Sequence, residues 1–205
     1  MVSLSTENIH SVLPGFNNID QRFEKILMSE QWLKLQEDFN YADRILLVGN
    51  GGNLAVCDHG AIDISRLTSK SASAPGSGIL ASSLINDLGH DLWVKNWLRI
   101  SLRGLDQSHI KKTLIIGVTS SGYSKNICTA LDDALELNCR AALISAAKPK
   151  IEGNYNKVIL NVDHYHTGEV LTLALFYQLI HGSGFSCPPL DKDKKNTEIS
   201  DYGIN

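Results

Sequence analysis

The chain has 205 residues, a length that suits one domain, with or without an extension, and argues against two full domains. Hydrophobic residues make up 43% and glycines number 16, which excludes a disordered chain. The net charge of −3 lacks the basic excess usual for binding nucleic acid through its phosphates, so no nucleic-acid partner is expected.

Residues 1–43 read as an N-terminal helical extension. Ser5 or Thr6, with Glu7 behind it, starts a short helix before Pro14. Ile19, Phe23, Ile26, Leu27, Trp32, Leu33, Leu35 and Phe39 then recur at spacings of mostly three and four, marking an amphipathic helix broken near Ser29. From Arg44 the rhythm changes. Ile45–Val48, Lys112–Val118, Ala141–Ile144 and Lys157–Val162 are short runs, apolar almost throughout, as strands covered on both faces of a parallel sheet must be. Helical stretches lie near 53–65, 90–104 and 124–138, a further strand is expected at 78–84, and the Ser-, Ala- and Gly-rich segment 66–78 reads as a loop. The alternation predicts an α/β domain over 44–183 with a doubly wound parallel sheet, followed by an irregular tail at 184–205.

The last helix carries Val170, Leu171, Leu173, Ala174, Leu175, Phe176, Leu179 and Ile180, and so is apolar almost all round. It is either a central core helix or part of a self-associating bundle, and we expect the bundle and hence a homo-oligomer. Cys57, Cys128, Cys139 and Cys187 lie far apart with no metal-binding or disulfide spacing, as in a reduced compartment. No run of about 18 apolar residues and no apolar leader in Met1–His10 occur, so a cytoplasmic chain without a membrane span is expected.

Two strand-to-helix turns carry the chemistry. Gly49-Asn50-Gly51-Gly52-Asn53 follows the first strand, and Thr119-Ser120-Ser121-Gly122-Tyr123-Ser124 follows the strand ending at Val118. In open α/β sheets ligands bind at that carboxyl edge. Four hydroxyls beside a helix N-terminus suit an anion such as phosphate, though the same residues also cap helices. The glycine turn fits neither the dinucleotide fingerprint nor the P-loop. Tyr123 is expected to pack. In the helix after the first turn, His59 and Asp63 stand four apart on one face, away from the apolar stripe of Leu54, Cys57, Ala61 and Ile64. Such a pair is either half of a zinc site or an exposed pair without a role.

Helices, glycine turn, hydroxyl turn and final helix, in that order over roughly residues 20–183, resemble the sugar isomerase (SIS) family and within it the phosphoheptose isomerases. The resemblance implies a five-stranded parallel sheet flanked by helices, a homotetramer, and a sugar phosphate held by Asn53, Thr119, Ser120, Ser121 and Ser124. It puts His59 and Asp63 where the family has a metal-binding histidine and a catalytic glutamate. Glu169 stands where the family has a glutamine, and Tyr177 where it has a second metal histidine. The implied reaction is aldose–ketose interconversion of sedoheptulose 7-phosphate, through an enediol, for surface polysaccharide synthesis. Asp63 or Glu169 would be the base, and His59, with or without zinc, would stabilise the oxyanion. The departures at Asp63, Glu169 and Tyr177 keep a second reading open, a sugar-phosphate-binding scaffold or regulator without turnover.

Overall fold

The computed structural model describes residues 11–187, so the expected helix start at Ser5 or Thr6 and nearly all of the tail lie outside the described residues. The N-terminal amphipathic pattern forms two helices, α1 (Ile19–Leu27) and α2 (Glu30–Tyr41). They part at Ser29, whose hydroxyl caps α2 by accepting from the Trp32 N–H at 3.2 Å. The chain continues as β1 (Arg44–Val48), α3 (Gly52–Leu67), β2 (Ser71–Ser73), α4 (Gly78–Leu88), α5 (Trp93–Leu102), α6 (Gln107–Lys111) and β3 (Thr113–Thr119). It ends with α7 (Lys125–Glu136), β4 (Arg140–Ser145), β5 (Asn156–Ile159) and α8 (Tyr165–Gly182).

The five strands pair in parallel in the order β2-β1-β3-β4-β5. This is the expected doubly wound sheet. Ile45 and Leu47 of β1 face one core with Trp32, Leu35 and Phe39 of α2, Cys57 and Ile64 of α3, and Leu175 and Leu179 of α8. Leu46 and Val48 face the other, with Trp97 of α5 and Ile127 and Leu131 of α7. Alternate residues of one strand thus serve opposite layers, which is why these strands are apolar throughout. The order of the strands reverses between β1 and β3, so the turns following them lie side by side at the topological switch point.

Three expectations are corrected. Segment 66–78 contains a strand: β2 has no apolar run but pairs with β1, and Ser65 of α3 bonds both outward backbone groups of Ala72, at 2.8 and 2.9 Å. The 78–84 run is the start of helix α4, because a short apolar run has no periodicity that separates strand from helix. Tyr123 does not pack; it is 65% exposed. The last helix is apolar on most sides, and Leu171, Leu175, Phe176, Leu179 and Ile180 enter the core while Val170 stays exposed. Among the described residues no helix is long and apolar enough to cross a membrane.

Candidate functional site

The two turns meet at the carboxyl rim and line one cleft of about 270 Å³. All five residues expected to hold phosphate, Asn53, Thr119, Ser120, Ser121 and Ser124, line it, together with Glu169 from α8. The hydroxyl turn is braced from within. Thr119 Oγ1 and Ser124 Oγ are 2.8 Å apart, and the Tyr123 N–H donates to Ser121 Oγ at 3.2 Å. Asn53 Nδ2 donates to Ser120 Oγ at 3.0 Å and so ties the first turn to the second.

A stronger tie was missed in the sequence. Asn50 and Asn126 exchange two side-chain amide hydrogen bonds, at 3.0 and 2.8 Å, and Asn126 is fully buried. Two asparagines 76 residues apart carry no local signal; only the sheet order that puts β1 beside β3 brings them together.

The cleft has the means to hold an anion. Gly51, the N-cap of α3, and Ser124, the N-cap of α7, make no side-chain cap bond. Both helices therefore open towards the cleft with first-turn N–H groups that no side chain caps, at the positive ends of their dipoles. Gly51 has φ +55, the left-handed region glycine tolerates, and Gly52 lies directly beneath the Glu169 carboxylate. A neighbouring cavity of about 240 Å³ shares Ser120, Ser121 and Tyr165 and continues along the rim to Asp163 and His164. A larger cavity of about 800 Å³, between α1 and β5, contains none of the hydroxyl turn.

His59 and Asp63 lie elsewhere. Helices α3 and α8 run side by side in the same direction, with Gly52 facing Glu169 and Gly60 facing Phe176. At 1.5 Å per residue, Asp63 is roughly 15 Å along α3 from Asn53. Asp63, on the face away from the apolar stripe, is only 7% exposed, because Tyr177 and Arg66 cover it. The Tyr177 hydroxyl donates to Asp63 Oδ2 at 2.7 Å, and Arg66 Nη2 donates to Oδ1 at 2.9 Å. His59 Nε2 lies 3.0 Å from the Tyr177 oxygen and 3.2 Å from Asp63 Oδ2. Burial alone would raise the Asp63 pKa, but the bonds from Tyr177 and Arg66 outweigh it and hold the carboxyl below its ordinary value. Burial first, and donation to Asp63 second, push the Tyr177 hydroxyl up to about 12. Within one chain, then, Glu169 joins the five residues of the two turns while His59 and Asp63 form a separate cluster with Tyr177. His166 stacks on Phe16 and its Nε2 lies 3.0 Å from the Pro14 carbonyl oxygen.

Zinc does not fit this arrangement. Among the described residues no three His, Cys, Asp or Glu side chains gather to hold a metal ion. His59 and Asp63 supply two donors, where zinc sites use three or four. Both oxygens of Asp63 are already bonded, one of them to a guanidinium.

No protein-family model matches the chain. Over 116 residues it is 30% identical to the phosphoheptose isomerase of Pelobacter propionicus, covering 56% of this chain and 60% of that protein. The chain spans 54–60% of the length of the first curated relatives it matches. Its fold matches the phosphoheptose isomerase structure from Francisella tularensis with a TM-score of 0.67 at 14% identity, covering 90% of this chain and 99% of that one. The phosphoheptose isomerase from Neisseria gonorrhoeae gives 0.66 at 18% identity, over 81% and 91%.

Proposed function

We propose that this chain, which has the fold of the sugar isomerase proteins and a sequence similar to phosphoheptose isomerases, is a phosphosugar isomerase acting on sedoheptulose 7-phosphate. The observation that carries the reading is the convergence of five polar side chains, two helix N-termini without side-chain caps and one carboxylate on a single cleft. The N–H groups and hydroxyls take the phosphate, and this remote grip orients the carbon chain for reaction. Glu169 is the base of this reading: it takes the proton from the carbon next to the carbonyl and returns it to the former carbonyl carbon. As the enediol forms and collapses, one proton joins the former carbonyl oxygen and one leaves the neighbouring hydroxyl, and the hydroxyl and amide groups of the rim meet both oxygens. Asp63 and His59 stand outside the cleft of their own chain, and no step runs through them or through a metal.

Assembly as a homotetramer is supported by α4, which buries none of its residues and leaves Ile79 85% exposed, and by the exposed Val170 and Tyr165 of α8. Cytoplasmic residence accords with four free cysteines, and a role in surface polysaccharide synthesis belongs to the same reading through the proposed substrate.

Turnover of sedoheptulose 7-phosphate tests the reading. Glu169→Gln is expected to abolish turnover and leave phosphosugar binding in place. Ser121→Ala with Ser124→Ala weakens that binding by about 1–3 kcal/mol through lost bonds to a charged group. Unchanged affinity in the double variant sinks the phosphate assignment. One observation favours the second reading, a sugar-phosphate-binding scaffold or regulator: Tyr177 engages both His59 and Asp63, the pair the resemblance assigns to chemistry. That reading gives binding with no turnover.

A further inference from the structure

We propose that Tyr177 fills the third corner of what would otherwise be a divalent-cation site and, with Arg66, makes His59 and Asp63 a hydrogen-bonded cluster that excludes metal. The inference rests on the geometry of this cluster and not on the activity proposed above.

A zinc ion needs three or more donors converging at about 2 Å, as neutral imidazoles, thiolates or carboxylates. An i, i+4 pair on one helix face supplies two, and the side chain facing both decides whether the site closes around a metal or around a proton. Here that side chain is a phenol. Its oxygen lies 3.0 Å from His59 Nε2 and 2.7 Å from Asp63 Oδ2, and its proton is donated to the carboxylate. A neutral phenol is a poor zinc ligand, and its proton lies between the atoms that a cation would have to bridge. On the other side Arg66 Nη2 is 2.9 Å from Asp63 Oδ1. The carboxylate is thus neutralised by a fixed cation and has no unengaged oxygen. His59 packs its ring edge against Tyr177, with centroids 6.5 Å apart and planes at 78°, which holds Nε2 towards the phenol.

Metal content decides this without reference to turnover. The purified chain is incubated with excess zinc, desalted and analysed by mass spectrometry of its metal. The wild-type chain is expected to retain no stoichiometric zinc. Tyr177→His exchanges the phenol for an imidazole and is expected to retain about one zinc per chain, lost again on adding His59→Ala. Zinc should raise the melting temperature of Tyr177→His and not that of wild type. The proposal is overturned if wild type keeps about one zinc per chain that His59→Ala removes. It is also overturned if Tyr177→His, native by circular dichroism, keeps none. Should Tyr177→His fail to fold, the comparison of wild type with His59→Ala still decides.

Discussion

The contact between Gly52 and Glu169 gives a prediction in which activity and stability move apart. A Cβ added at position 52 would lie 2.1 Å from Glu169 Oε1, 2.7 Å from Cδ and 3.0 Å from Oε2. A carbon and an oxygen that are not bonded to each other rest at about 3.3 Å or more, so the carboxylate must retreat by more than about 1 Å. The group that moves is the far end of a flexible side chain, so the retreat costs the fold little. Replacing a helical glycine stabilises by up to about 1 kcal/mol, and less in a first turn. Gly52→Ala is therefore expected to leave the melting temperature unchanged or raise it by up to about 2–4 °C. A displacement of that size at a reacting group costs about a hundredfold in rate, or about 2.7 kcal/mol of transition-state stabilisation. Steady-state kinetics on sedoheptulose 7-phosphate, beside a thermal scan, should show kcat/KM down by that factor with phosphate affinity little changed. Wild-type kcat/KM in Gly52→Ala would refute Glu169 as a positioned base.

Gly60→Ala should do the opposite to the fold: its Cβ would come within 2.4 Å of Phe176 Cδ2 in the core, and overpacking costs about 1–3 kcal/mol, seen as an earlier urea midpoint. Asn126→Ala removes both amide bonds to Asn50 and is expected to cost about 1–3 kcal/mol, lowering the melting temperature and weakening phosphosugar binding together. Tyr177→Phe should change how stability follows pH. The Tyr177 hydroxyl, raised from 10.0 to about 12, contributes stability fully below pH 10 and loses it as the pH climbs through 12. Asp63, held below its ordinary 3.8, contributes above that value and loses its contribution as the pH falls through the lowered one. Urea unfolding across pH should then show a gap between wild type and Tyr177→Phe that is constant near neutrality and narrows at both extremes; a gap independent of pH would contradict the assigned bonds.

The doubly wound sheet was legible because β1, β3 and β4 bury alternate residues in two different cores, and a strand covered on both faces has to be apolar throughout. The meeting of Asn53, Thr119, Ser120, Ser121 and Ser124 in one cleft was legible for a local reason: each lies within a few positions of a strand end, and the switch point fixes where those ends go. β2 was not legible, since Ser71-Ala72-Ser73 is held by backbone pairing and by one serine of α3. Nor was the environment of Asp63. Helical spacing put it on the face away from Cys57 and Ile64, where Arg66 is its neighbour three residues on, but Tyr177, which closes over it from α8, lies 114 residues away and no local spacing points to it.

The separation of Glu169 from His59 and Asp63 follows from how α3 and α8 pack. Gly52 and Gly60 are eight residues apart on α3 and meet Glu169 and Phe176 on α8, seven apart, so the helices stay in step for two turns. A side chain at either glycine would hold them apart, at the first by the carboxylate and at the second by a buried ring. This register fixes Glu169 at the rim and carries Tyr177, eight residues or roughly 12 Å further on, to the His59–Asp63 pair. One pair of helices thus carries two centres of different chemistry. The rim centre gathers hydroxyl and amide groups and two helix N-termini beside the Glu169 carboxylate, and the inner one holds a carboxylate whose charge Arg66 meets. The phosphosugar reading proposed above therefore places its phosphate at the first and not at the second.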